Sequence, residues 1–383
     1  MAVQFAAGGA VIPFVTLLLR DRGLDLGQIS RILSWSSATL LVFPFVWGML
    51  ADRFVALNRL FIVMNVLAAA ALAIMAAQSQ FFALCAGFTL FYACFNPTLT
   101  LINALSFHHL TDPPAQFGRL RAWGSLGWIL PFLPIALWVA AGPKPDLNFV
   151  LYLGAGCCLG MAALSFFLPH TPPGARRLVN PAAGLTYWPA IRLLLKDPNY
   201  LAVLGSFFLM AGSYSILMFY SPPYLEDLGV PRVWLGPIQA IGVVCEIVVF
   251  QWQAALLRRW NFASTILAGC LALVLRHALF GWVDNRWLLS ASYILSGIVI
   301  VFYHMGVSVL VNAMARPEVR STAQTLVLFF GQGAGPLFAN WAAGKLAARS
   351  PAPFRAVFIF GAILAILAAL LLAIRGKQLN SSK

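Results

Sequence analysis

Three ionisable residues stand where a chain rarely keeps them. Glu246, Arg276 and His304 each fall inside a long apolar run. Glu246 lies about thirteen residues into its run. A carboxylate held in hydrocarbon is costly, so it must be protonated, paired or turned to water. A carboxyl that alternates between an apolar and a cationic surrounding takes up and releases a proton. Glu246 is therefore the leading proton-coupling candidate, against a static buried pair. Arg276 either balances Glu246 or lies near the outer mouth. His304 titrates near neutrality when unperturbed and can switch charge, or it serves as a hydrogen-bonding group. Ser308 and Asn312 share its helical face at i+4 and i+8, and His277, beside Arg276, is expected at the interface.

A second constellation is a stripe. Tyr92, Asn96, Thr100 and Asn103 recur at i, i+4, i+8 and i+11, on one face of an apolar helix. That face is expected to look into a helix bundle, lining a solute path or bonding between helices. Arg121 lies about a turn inside the next run. It either meets a solute carboxylate as a bidentate donor or snorkels to the surface. Gln332 and Asn340 are weaker candidates of the same kind. No HExxH, phosphate loop, paired acids or His/Cys cluster occurs, and the six cysteines all sit in apolar runs. They read as small buried side chains. No metal, cofactor or enzyme activity is expected.

The elements that position these groups follow from composition. The chain has 383 residues, 61% of them hydrophobic and 9% charged, whereas soluble domains carry roughly 25% charged residues. Apolar runs of about 20 residues, enough to cross a bilayer, recur along it. They are continuous rather than alternating, so the spans are helices and not barrel strands. Twelve are expected, at 2–20, 28–50, 59–77, 81–106, 116–140, 148–168, 199–220, 233–255, 262–281, 287–313, 321–345 and 354–374. The fold class is an all-α membrane protein of two six-helix halves, 1–168 and 199–374. A linker, 169–198, joins the halves, and a tail, 375–383, follows the second.

The net charge of +14 is scattered singly between apolar runs. It makes no basic face, which argues against nucleic acid. The Lys and Arg residues act instead as topology signals. With both termini in the cytoplasm, 15 lie inside and 9 outside, with Arg276 within a span. This orientation gives a multi-pass protein of the inner (plasma) membrane. The first span starts almost at once, without a basic leader, and the native start is expected slightly upstream. In the linker, "YWPAIRLLLKDP" is expected to lie along the inner surface as an amphipathic turn or two. The halves look like a worn repeat. "LRDRG", ending at Gly23, matches "LEDLG", ending at Gly229, and Trp47 precedes Arg53 as Trp252 precedes Arg258. Weak internal symmetry of this kind marks transporters built from repeats.

Between spans 2 and 3, "GMLADRF" resembles the G-x-L-x-D-R signature of the major facilitator superfamily through Gly48, Leu50, Asp52 and Arg53. The resemblance implies a conformational latch on the cytoplasmic side, with Gly48 permitting close helix approach. In the second half, Leu257 stands where the acid would be. "FGRLRAWGSLGWIL", residues 117–130, resembles span 5 of the lactose permease, nucleoside–proton symporter and phenylpropionate transporter branch, and "VRSTAQTLVLFFGQGAGPLF", residues 319–338, resembles its span 11. In the lactose permease pattern, Arg121 and Trp128 would bind sugar together with an acid on span 4. That position is Asn103 here, so a disaccharide is disfavoured. An acid, an Arg and a His on spans 8 to 10 also match the pattern, but its second acid on span 10 is missing.

The resemblance implies a proton-coupled symporter working by alternating access. Its proton-coupling residues would be Glu246, His304 and Arg276. Its solute contacts would be Arg121, Trp128, Asn96, Thr100 and Asn103. An aromatic carboxylate such as a phenylpropionate is the first expectation and a nucleoside the second. A drug-type proton exporter is the alternative, and a membrane sensor or enzyme is the remote one. The expected partners are a small-molecule substrate, protons and the lipid bilayer, with the chain a monomer.

Overall fold

The structure, a computed structural model, describes residues 1–111, 113–142, 146–173, 187–259, 262–316 and 319–380. The described residues are mostly helical and carry no strand. Ten helices are long and apolar enough to cross a membrane. They are span 1 (Ala2–Asp21), span 2 (Leu26–Ala51), span 3 (Leu57–Ala77), span 4 (Phe81–Asn103), span 5 (Leu120–Ala140), span 7 (Pro198–Asp227), span 8 (Arg232–Trp252), span 9 (Ala263–Trp282), span 10 (Arg286–Met314) and span 12 (Pro353–Arg375). The expected sixth is the shorter apolar helix Asn148–Leu164. The expected eleventh is the helical run 320–347, whose start, "RSTAQT", is too polar to pass on hydropathy.

Several spans are interrupted. Span 1 turns at 12–14, span 2 at 40–42 and span 5 at 130–131. Pro13, Pro44 and Pro131 lie at or next to these turns, and proline removes a backbone donor and clashes with the preceding turn. Spans 10 and 11 pass through π-helical segments, Val299–Met305 and Phe329–Ala334. A π segment inserts an extra residue into the ladder and re-aims the side chains around it.

The described chain forms two compact units. The first is Met1–Pro181 with Pro231–Pro237. In it, span 1 packs on spans 5 and 6, and span 3 on spans 4 and 6. The crossing of spans 1 and 5 is backbone on backbone. A Cβ at Gly9 would lie 1.9 Å from the Trp128 carbonyl oxygen, and one at Gly127 would lie 2.2 Å from that of Ala2. Small residues at a crossing let dispersion replace the hydrophobic drive that lipid does not supply. Arg22, just past span 1, donates to the carbonyls of Met75, Ala76 and Gln78 and to Asn148 Oδ1. It thereby caps the free carbonyls at the end of span 3. Also in this unit, Arg232 donates to both carboxylate oxygens of Asp21, at 2.7 and 2.9 Å.

The second unit is Ala182–Val230 with Ile238–Lys383. Spans 7 and 9 pack on span 12, span 9 also meets span 10, and span 7 also meets span 11. A short helix ahead of span 7, Tyr187–Leu195, rests on span 7 and on the start of span 11. Arg355 pairs with Asp284 at 2.5 Å where the loop after span 9 meets the start of span 12.

The worn repeat has a structural counterpart. Gly23 and Gly229 are the two residues with positive φ, +80° and +81°, among the described residues. Each closes its helix in the same way. The Gly23 N–H donates to Arg20 and the Leu24 N–H to Leu19; the Gly229 N–H donates to Glu226 and the Val230 N–H to Leu225. This is a Schellman end, whose left-handed residue glycine occupies without a Cβ penalty. Gly23→Ala and Gly229→Ala are each expected to lower stability by about 1–2 kcal/mol. Denaturant unfolding in detergent checks this, and equal losses at the two positions are the expected outcome.

Candidate functional site

In the second unit the site begins with a contact between backbones. A Cβ at Gly297 would lie 2.4 Å from the Glu246 amide nitrogen and 2.6 Å from the Gly242 carbonyl oxygen. Spans 8 and 10 therefore touch at Gly242 and Gly297, and this contact fixes where Glu246 leaves its helix. Glu246 itself is half-buried. Arg276 on span 9 is 3% exposed. Its guanidinium lies over the Tyr293 ring, 4.0 Å from the centroid, and Nη1 donates to Ser296 Oγ at 2.5 Å. Its Nε and Nη2 have no hydrogen-bond partner.

The Nη1 hydrogen bond of the guanidinium goes to Ser296, on the span after it. Arg276 and Glu246 share a neighbour, since both act electrostatically on the half-buried Tyr214. Tyr293, under the guanidinium, is itself bonded through its hydroxyl to Ser221 at 2.7 Å.

His304 lies in the first π segment, among three rings. Phe207, Tyr214 and Tyr303 meet it edge-on, with centroids at 5.3, 5.3 and 5.6 Å. Its Nε2 is buried and has no hydrogen-bond partner. The Tyr303 hydroxyl is bonded to Ser206 at 2.7 Å. Ser308 turns back and donates to the His304 carbonyl at 3.1 Å. Asn312 and Gln332 are exposed, and Asn340 is fully buried and donates to Ser215 and to the Pro336 carbonyl.

His277 corrects its expectation. It is fully buried, bonded through Nε2 to Ser213 Oγ at 2.9 Å, and packed where a Cβ on Gly361 would be 2.1 Å away. It fastens spans 7, 9 and 12 to one another rather than sitting at an interface.

In the first unit Arg121 is half-buried, with its guanidinium 4.6 Å over the Phe5 ring and Nη1 3.4 Å from Ser125 Oγ. Trp128 wedges against span 1: a Cβ on Gly8 would meet its ring at 2.8 Å and that of Phe95 at 2.7 Å. The span 4 stripe does not face one interior. Tyr92 is buried, Asn96 and Asn103 are half-buried, and Thr100 is exposed. Pro97 lies inside this helix, which runs without interruption from Phe81 to His109. Asn96 Nδ2 and Asn103 Oδ1 are buried without partners. The inward polar group is Thr98, which is fully buried and accepts from Gln4 Nε2 at 2.6 Å.

At the latch motif, Arg53 is exposed. Among the described residues a Cβ on Gly48 would meet no atom within 4 Å. The side chains of Asp52, Leu257 and Arg258 lie outside the described residues.

Sequence reasoning missed Phe207, Tyr214, Tyr293 and Ser296, because aromatic and serine residues are common in spans. The one available signal was the i, i+7 spacing of Phe207 and Tyr214. The second unit assembles a carboxyl, a guanidinium with two open donors and an imidazole with one open nitrogen, among aromatic rings. Such a set exchanges protons and offers donors, acceptors and π faces to a flat polar solute. No cluster fit for a metal ion occurs among the described residues.

Comparison with known proteins places the chain. The family model described as nucleoside H+ symporter matches residues 1–380. The chain belongs to the nucleoside H+ symporter family. YegT, a candidate nucleoside transporter of Escherichia coli K12, is 27% identical over 355 residues, covering 88% of this chain and 80% of that protein. The nucleoside permease NupG of the same strain is 23% identical, covering 87% and 81%. A crystal structure of a single-substitution form of NupG superposes with a TM-score of 0.86 at 20% identity, covering 97% of each chain, which establishes the shared major facilitator fold. The candidate 3-phenylpropionic acid transporter of E. coli K12 matches a shorter stretch, 288 residues at 25% identity. This member of the symporter family is a multi-pass inner-membrane transporter that couples solute to protons, and it is not an enzyme.

The Gly297 contact generates a direct expectation. Gly297→Ala drives a methyl into the Glu246 backbone, and overpacking of this kind costs about 1–3 kcal/mol. Uptake by cells expressing the variant is expected to fall by on the order of tenfold with the amount of protein in the membrane retained. An unchanged uptake rate would mean that the span 8–10 contact does not set the position of Glu246.

Proposed function

We propose that the chain carries nucleosides together with protons by alternating access, with both termini in the cytoplasm and Glu246 as the coupling carboxyl. The observation that carries this reading is the second-unit cluster. There a half-buried acid and a buried guanidinium with open donors act on the same tyrosine, next to an imidazole set among three rings. A nucleobase is flat, aromatic and rimmed with donors and acceptors. The half-buried Tyr214 supplies a ring for it, backed by the buried Phe207 and Tyr303, and His304 Nε2 and the Arg276 Nε/Nη2 edge supply polar partners.

The aromatic carboxylate first suggested by Arg121 gives way to the nucleoside. Arg121 already rests on Phe5 beside Ser125, and the family model names a nucleoside. Arg121, Trp128, Asn96, Thr100 and Asn103 are proposed as further solute contacts, and Gly48, Asp52 and Arg53 as the latch.

Coupling requires that protonation change the relative stability of two conformations. Glu246 meets this requirement if it is protonated in one surrounding and charged in the other. The test uses purified protein in de-energised liposomes. Adding a nucleoside is expected to make the outside medium alkaline, and an arylpropionate or a disaccharide is expected not to. Glu246→Gln is expected to abolish this signal and to cut gradient-driven uptake on the order of a hundredfold, while nucleoside exchange at equal pH persists. Proton movement retained in Glu246→Gln would move the coupling role to His304. Alkalinisation with the arylpropionate alone would overturn the nucleoside.

A further inference from the structure

The helix Tyr187–Leu195 is not used by the cluster of the second unit. It buries Ala190 and Leu194, one turn apart, at 1% and 6% exposure. These two residues face span 7 and the start of span 11. The opposite side is bare. Trp188 is 73% exposed and Leu195 41%, and Arg192 and Lys196 are exposed as well. With 3.6 residues per turn, Trp188, Arg192, Leu195 and Lys196 make one stripe at i, i+4, i+7 and i+8. Around the helix Leu195, Trp188, Arg192 and Lys196 follow one another over about 100°, on the side away from Ala190 and Leu194.

Among the described residues neither Arg192 nor Lys196 has an ion-pair or hydrogen-bond partner. The nearest acid in sequence, Asp197, is occupied: its carboxylate accepts from the Asn199 N–H at 2.8 Å and caps span 7. Two bare cations therefore lie beside a bare apolar pair, Trp188 and Leu195.

We infer that this helix is a docking surface for acidic phospholipid, with Trp188 and Leu195 in the acyl boundary and Arg192 and Lys196 on the headgroups. Charge complementarity selects the occupant. A basic amphipathic helix beside a span gains from the negative surface of an anionic leaflet, and indole favours the interface. A protein partner would need to bring its own acids to the same plane. The helix rests on the first turns of spans 7 and 11, so lipid binding there bears on the unit that carries Glu246.

The experiment uses the full chain in nanodiscs of phosphatidylcholine with a minor share of phosphatidylglycerol. Bromine is placed on the acyl chains of one lipid or the other. The chain has 12 tryptophans, so the Trp188 signal is read as the difference between wild type and Trp188→Phe. The difference signal is expected to be quenched more strongly by brominated phosphatidylglycerol than by brominated phosphatidylcholine. Each of Arg192→Gln and Lys196→Gln is expected to lower that preference about fivefold, and Arg192→Lys to retain it. High salt is expected to reduce it. A Trp188 signal unquenched by either lipid would place the helix in water and overturn the proposal. So would equal quenching by both lipids, which would leave an apolar contact without headgroup selection. The readout involves no transport, so its failure is distinct from a failure of the nucleoside reading.

Discussion

Hydrocarbon supplies no hydrogen bonds, and the rest of this structure follows from that. Every backbone group within a span must be satisfied by its own helix or by protein beside it. The proline turn at 12–14 is buried among neighbouring helices, whereas those at 40–42 and 130–131 carry the exposed side chains of Val42 and Leu130. The carbonyls that end span 3 are held by Arg22, and the two helix ends at Gly23 and Gly229 close on themselves. Serines in span 2 follow the same rule: Ser30, Ser34, Ser36 and Ser37 each donate back to a carbonyl one turn earlier. Not every buried polar atom is satisfied in this way: Thr16 Oγ1, Asn65 Oδ1 and Asn340 Oδ1 are among those without a hydrogen-bond partner.

The exceptions then carry meaning. Arg276 keeps two donors open at 3% exposure, and His304 keeps one ring nitrogen open among three aromatic rings. An open donor in a buried site costs on the order of 1–3 kcal/mol, and more on a charged group. A static scaffold gains nothing from such an arrangement. A carrier does, because its polar groups must change partners during the cycle. Partners that are too good in one conformation would trap it there, since a ligand or proton moves an equilibrium only by its differential affinity.

Much of this was legible before any coordinates. Continuous apolar runs separated by short polar turns identify helices and their order, because hydrocarbon thickness sets a single length. The paired "LRDRG" and "LEDLG" were readable because a Schellman end needs a glycine at one position, and the two closures agree to within one degree of φ. The partners of individual side chains were not readable. Arg276 goes to Ser296 and Tyr293, where span 10 starts as Arg286–Ala291, turns, and resumes at Ile294, so no simple helical count brings them together. In span 4 the helix stays regular, yet Thr100 is exposed, and Thr98, outside the i, i+4 spacing, accepts from Gln4. Periodicity reports which residues share a face, and the neighbouring helices decide what that face meets.

Irregularity is also where the chemistry gathers. His304 and Gln332 both lie in π segments, and Phe207 joins those segments from span 7. It meets His304 edge-on at 5.3 Å and stacks on Tyr303 at 5.9 Å. It also reaches the second segment so closely that a Cβ on Gly331 would overlap its ring at 1.9 Å. One side chain thus touches both places where the ladder is out of step. A π segment differs from an α segment by one residue of register, about 100° of side-chain direction. Phe207 fits the present register of both, and a larger residue at 331 would not allow it. The imidazole's aim is therefore tied to the packing of span 7 against span 11, and not to span 10 alone.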